Sequence, residues 1–512
     1  MKKSLKILIA ILVILMLTLN YTMVFAEPPE KPSGDGQGQN GGTPPDKPDG
    51  EMSNQNGENP PDKPDGDGGS PGENGGSSNI SHTGATEISS DTNNNGTSYS
   101  STTGSQNALL VTGGTSTISN PIVTKSGDSD GDNSDFYGTN AAVLVKEGTL
   151  NINGGTVTTE GSHANGVFAY LNGIINITDT TIKTTNNNSG AIMVTGGGTL
   201  TANNVTAETD GNSSAPIRSD RGGGTLTVNG GNYTSHGTGS PAVYSTANIT
   251  VNDANLTSTA SEGVVVEGKN SVTLNNTILE ATNTELNGNS ETYKSIFIYQ
   301  SMSGDADVGT SSFTAKDSKI INNKGDIIFV TNTSTVIELE NNEIINNDPD
   351  GAFINISSGK WGTSGKNGGE VVLNATNQNI EGDILVDNIS TLDLSLKNGS
   401  SYSGTINSDN TAKTISVKLD SSSSLTLTGD SYITSLDNEV EDNSNINLNG
   451  YTLYVDGTAI SSTNYTGASA ESKKDETTND NQKIDTKLIV LGALVGLLVI
   501  IGAITIILKR KK

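Results

Sequence analysis

The residues most able to do chemistry sit in one short run, IRSDRGGG (217–224), where Arg218, Asp220 and Arg221 place two guanidiniums around one carboxylate. An arginine base beside outward carboxylates is what a polysaccharide lyase would need, and Glu262 and Glu267 follow further along the chain. A hydrolase instead needs two facing carboxylates a few Å apart. No NxD, DD and GHG set supplies them, and SHANG (162–166) and SHGTG (235–239) give His163 and His236 no acidic partner in sequence. Arg218 and Asp220 therefore read as an ion pair or a binding contact. Arg218, Asp220, Arg221 and Tyr244 are the candidate ligand-binding residues, since Arg and Tyr are the side chains that anchor contacts. No catalytic residue is assigned.

A second cluster lies in GDSDGDNSDF (127–136), with Asp128, Asp130, Asp132 and Asp135 close together. Alternate carboxylates in a glycine-bearing loop can converge on a hard cation such as calcium. The loop departs from the EF-hand pattern: Gly131 is at the fourth position and no Glu closes the site.

Composition narrows the scaffold that must position these groups. The chain has 512 residues, 61 Gly, no Cys, 4% aromatics and 17% charged residues. It lacks the Ala, Leu, Glu and Lys content that helices favour. The absence of Cys removes disulfides, thiol catalysis and Cys-type zinc sites. A formal charge of −27 repels polyphosphate, so nucleic-acid binding is excluded.

The ends specify a location. Lys2, Lys3 and Lys6 precede an apolar run that closes on Val24-Phe25-Ala26, so 1–26 reads as a cleaved signal peptide. From Leu488 to Leu508, 21 residues carry no charge, about 31 Å as a helix, which matches a bilayer core. Lys509-Arg510-Lys511-Lys512 then marks a cytoplasmic tail. No LPxTG-like signal precedes the span, so wall attachment is not expected. The expectation is a single-pass cell-membrane protein with its body extracellular.

Between the ends, PPEKPSG (28–34), PPDKPDG (44–50) and PPDKPDG (60–66) make 27–80 an extended acidic tether. From about residue 106 a longer period of ~25 residues appears, the mark of a solenoid. Apolar residues recur at Leu110, Val143, Phe168, Ile192, Ile217, Val243, Val265, Phe297, Ile328 and Phe353. A second short strand follows in each unit (Leu150/Ile152, Ile175/Ile177, Leu200/Ala202, Leu226/Val228, Ile249/Val251, Val272/Leu274), and a third at Val157, Ile182, Val205, Tyr233, Leu256 and Ile278. No window has a helical period of useful length, so leucine-rich repeats are set aside for a parallel β-helix of three-strand coils. Asn153, Asn203, Asn229, Asn252 and Asn275, with Thr178 in the remaining coil, should stack into an amide ladder at a turn whose left-handed backbone Asn tolerates.

NSDFYGTNAAVLV (133–145), SHANGVFAY (162–170), IRSDRGGGTL (217–226) and ASEGVVVEGKNSVTL (260–274) resemble a family of secreted Gram-positive adhesin-like proteins, right-handed β-helices related in fold to the pectate-lyase and adhesin solenoids. The resemblance covers roughly 106–360. It implies right-handedness and a surface setting, and no defined reaction.

The expected organisation is all-β: a right-handed parallel β-helix over 81–360, further coils and a cap over 361–465, a polar linker at 466–487, the transmembrane helix at 488–508 and the tail at 509–512. The apolar column should point inward. Leu144, Met193, Arg218, Tyr244, Val266, Ile298, Phe329 and Ile354 should then point outward, as a contact face or as a face covered by an insertion such as 284–294 or 299–312. The expected function is an adhesin or ligand-binding module for extracellular polysaccharide or a surface protein. A carbohydrate-active enzyme on the same fold and a passive stalk are the alternatives.

Overall fold

The computed structural model describes residues 80–461, apart from Asn289 and the side chain of Asp132. The described residues fall in one compact unit. The signal peptide, the tether up to residue 79, the polar linker, the 488–508 span and the tail lie outside the described residues. Among the described residues no helix is long and apolar enough to cross a membrane.

Short strands rich in Val, Ile and Thr favour a pleated backbone, and here they wind into a parallel β-helix of about 15 turns. At ~4.8 Å per turn that is roughly 70 Å of solenoid. Each coil carries three strand positions, called faces 1, 2 and 3 in chain order. Face 1 includes Ile192–Thr195, Ile217–Ser219, Val243–Ser245, Val264–Glu267, Lys294–Tyr299 and Asp326–Thr331, each paired in parallel with the next. Face 2 includes Asn248–Asn252, Ser271–Asn275 and Thr310–Lys316. Face 3 includes Thr181–Thr184, Asn255–Ser258 and Ile278–Ala281. The coils continue through 361–455 and end on an antiparallel pairing of Leu453–Val455 with Thr458–Ala459.

The core is one column per face. On face 2 the expected inward pairs are in register and fully buried, from Leu150 and Ile152 to Val272 and Leu274. Face 1 corrects the expected column. Leu109, Val143, Val167, Ile192, Ile217, Val243, Val264, Ile296, Ile328 and Ile354 align and enter the core. Leu110, Phe168, Val265 and Phe297 instead align with Leu144, Met193, Arg218, Tyr244 and Phe329 on the outside of the strand. Val266, Ile298 and Ile354, expected outside, belong to the core. Phe353 is buried there too, one residue ahead of the column. On face 3 Ala207 and Leu279 align with Ile182, Tyr233 and Leu256; Val205 is buried in the core but two residues ahead of that column, and Ile278 is exposed. A strand apolar on both sides carries no alternation from which its parity can be read.

The turn between faces 2 and 3 is left-handed, at a single residue (Asp179, Asn204, Asp253, Asn276, Asp317, Asn341 and Asn377) or at a glycine pair (Gly154–Gly155 and Gly230–Gly231). Left-handed backbone costs an L-residue least when a short polar side chain bonds locally. The expected amide ladder is present one residue earlier. Asn229 donates to Asn203, Asn252 to Asn229 and Asn275 to Asn252, each at 2.9 Å, and Asn203 reaches the Thr178 hydroxyl at 3.5 Å. Turn and ladder are thus adjacent columns. The left-handed column carries its own pairs, Asn204 to Asp179 at 2.6 Å and Asn276 to Asp253 at 2.7 Å.

Candidate functional site

The outward column of face 1 holds the predicted site, and the protein covers it with its own insertions. Over the early coils, residues 126–142 carry a short helix, α1 (Asp132–Tyr137). Tyr137 packs on a cluster of Leu110, Leu144, Phe168, Tyr170 and Met193. The helix is tied down by Thr195 donating to the Phe136 carbonyl at 2.7 Å and by His82 against the Tyr137 carbonyl at 2.8 Å. Over the later coils, Tyr299 and Trp361 close a second cluster on Val265, Phe297 and Phe329, with Tyr244 at its margin. Ring centroids of Trp361 lie 5.2 Å from both Phe297 and Tyr299. An exposed apolar ladder is therefore not what this face offers: its covers are 126–142, the loop around Trp361 and the expected 299–312 insertion, whose Asp305 pairs with Arg221.

The four predicted ligand-binding residues lie together between these clusters, and each is engaged internally. Arg218 Nη2 donates to Asp220 at 3.1 Å, with side-chain exposures of 11% and 7%. Burial pushes the Asp220 carboxyl up to about 6 against the pull of Arg218. Arg221 pairs with Asp305, and its guanidinium lies 3.9 Å from the Phe136 ring centroid. The hydroxyl of Tyr244 donates to Glu267, which also accepts from Tyr299 at 2.9 Å. Burial raises both phenols well above their ordinary range. Glu262, the other carboxylate singled out, pairs with the buried ammonium of Lys294 at 3.0 Å.

The acidic loop is engaged in a similar way. Asp128 accepts from the Ser162 amide at 2.8 Å, and Asp135 faces His163 Nδ1 at 2.9 Å, so His163 does have an acidic partner. Asp130 is exposed, and the side chain of Asp132 lies outside the described set. Among the described residues the one close group of metal-ligating types is elsewhere, Glu208, Asp210 and His236 on face 3. Lys183 already sits on its two carboxylates, at 2.9 and 3.3 Å.

A groove lies open at the corner between faces 1 and 2, missed by sequence reasoning because much of its lining comes from loops between the strands. It is lined by Gln300, Val308–Thr310, Asn332–Ser334, Gly365, Lys366, Gly368, Glu370, Asn388, Ile389 and Lys413, and holds about 750 Å³. That volume is within the ~300–1,000 Å³ of ordinary ligand sites. Its lining spans five successive coils, so it runs about 19 Å along the axis at ~4.8 Å per coil. A neighbouring groove of about 660 Å³ shares Gly365, Asn388 and Ile389 with it. The loop that separates them, 357–368, is the one that delivers Trp361 to face 1. One insertion therefore seals the apolar column and opens a polar trough beside it.

Fold and site define a parallel β-solenoid whose outer face is partly roofed by its own loops. No family model, curated protein or solved structure matches the chain.

Proposed function

We propose that this protein is a non-catalytic ligand-binding module of the adhesin kind, displayed at the cell surface, and that an extracellular polysaccharide lies along the corner groove. The observation that carries this reading is the groove itself: open, polar, and extended along the axis over five coils. A linear polymer suits such a trough better than a compact small molecule does, because amides and hydroxyls line it from three of its five successive coils. Asn332, Thr333, Ser334, Thr310 and Asn388 supply those groups. The non-catalytic part of the reading is supported by Arg218, Asp220, Tyr244 and Glu267, whose polar groups bond one another under the insertions.

A catalytic reading has one observation in its favour. Asp220, held up to about 6 by burial, lies two coils from Glu267, roughly 10 Å along the axis, near the separation of inverting glycosidases. A screen of the purified full chain against neutral and charged polysaccharides, assayed for retention and for product, separates the readings. Retention without product is expected. Product lost in Asp220→Asn would favour the enzyme, and neither retention nor product would favour a passive stalk.

A further inference from the structure

The groove differs from the rest of the described surface in its charge. Most lysines of this chain are matched to a carboxylate: Lys183, Lys269, Lys294, Lys316, Lys319, Lys324, Lys360 and Lys418 each form an ion pair. Such pairing is expected where acids outnumber bases 56 to 29. Lys125 is buried and bonds two backbone carbonyls. Only Lys146, Lys366, Lys397 and Lys413 present an ammonium with no carboxylate partner among the described residues. Two of these four, Lys366 and Lys413, line the same groove.

The local balance is therefore inverted. Two lysines face one carboxylate, Glu370, and Glu370 already accepts from the Ser334 hydroxyl at 2.9 Å. Lys366 and Lys413 come from coils two apart, about 10 Å along the axis. Two exposed cations at that spacing, along a trough in an otherwise acidic surface, suit a polymer that carries its negative charges at intervals. We propose that the groove is an anion-selective glycan site, in which Lys366 and Lys413 take successive carboxylates of a uronate-type polysaccharide. This inference rests on the binding reading above and sharpens it to a ligand class. Exposed ammonium–carboxylate contacts are screened by salt, so the affinity should fall as ionic strength rises.

The test is a set of binding isotherms for the purified full chain with alginate as the carboxylated probe and dextran as the neutral one. The variants are Lys366→Ala/Lys413→Ala and, matched in net charge, Lys146→Ala/Lys397→Ala. The expected result is salt-sensitive alginate binding at least about tenfold tighter than dextran binding. The groove double should lose about tenfold or more in alginate affinity, and the control double should stay within about twofold. Equal binding of dextran and alginate, or equal losses in both doubles, would overturn the anion-selective site and leave the binding reading standing. Binding of neither glycan would overturn both.

Discussion

The guanidinium of Arg221 lies 3.9 Å from the centroid of the Phe136 ring, and that contact joins two insertions from distant parts of the chain. Phe136 belongs to α1, and the other partner of Arg221, Asp305, belongs to the loop after Tyr299. One side chain thus bridges two of the covers, 126–142 and 299–312.

Arg221→Ala should loosen both covers without unfolding the solenoid. A partly exposed cation–π contact and ion pair are worth about 1–2 kcal/mol together. Limited proteolysis should therefore speed up within 126–142 and 299–309 while cleavage elsewhere is unchanged. Unchanged cutting in both segments would show that Arg221 does not couple them.

Asn252 donates one ladder bond and accepts another. Asn252→Ala should cost about 1–2 kcal/mol, since two bonds are lost at a partly hydrated site. Denaturant unfolding measures it, and a loss below about 0.5 kcal/mol would mean that the ladder contributes little.

At Asn276 the backbone is left-handed, with φ of 46°. Asn276→Val should destabilise by about 1–2 kcal/mol more than Asn276→Gly, because a branched side chain suffers most there. Equal losses would place the cost in the lost bond to Asp253 rather than in the backbone.

Lys125 provides a pH signature. Burial holds its ammonium down, to about 8, while the unfolded chain keeps the ordinary 10.5. Between those values the unfolded state binds more protons, so stability from this group rises with pH from about 8 towards 10.5. The full swing is roughly 3 kcal/mol. The difference between wild type and Lys125→Met, followed by denaturant midpoints at pH 7.5 and 9.5, should change in that sense. A flat difference would contradict it.

Much of the fold was legible because a solenoid repeats its signal. The inward pairs of face 2, such as Leu226 and Val228, alternate with Thr and Asn, and the stacked Asn229 and Asn252 recur at the coil period. Face 1 was legible as a strand but not in its parity, since Phe168 and Val167 are both buried, one under α1 and one in the core. The candidate residues Arg218, Asp220, Arg221 and Tyr244 lie together at face 1. Covering by the 299–312 insertion was one of the two expectations, and Asp305 bears it out on Arg221; the covers that bring Phe136 and Trp361 were not read from the sequence, because those insertions have no periodicity. The groove escaped for the same reason: Lys366 and Lys413 are distant in sequence and brought to one trough only by winding.

The most direct test is hydrogen exchange of the full chain with and without alginate. The account predicts slowed exchange in 308–310, 332–334, 365–370 and 388–389, with 217–221 and 243–245 unchanged. Protection at 217–221 and 243–245, with the groove segments unaffected, would contradict it and return the binding site to Arg218 and Tyr244.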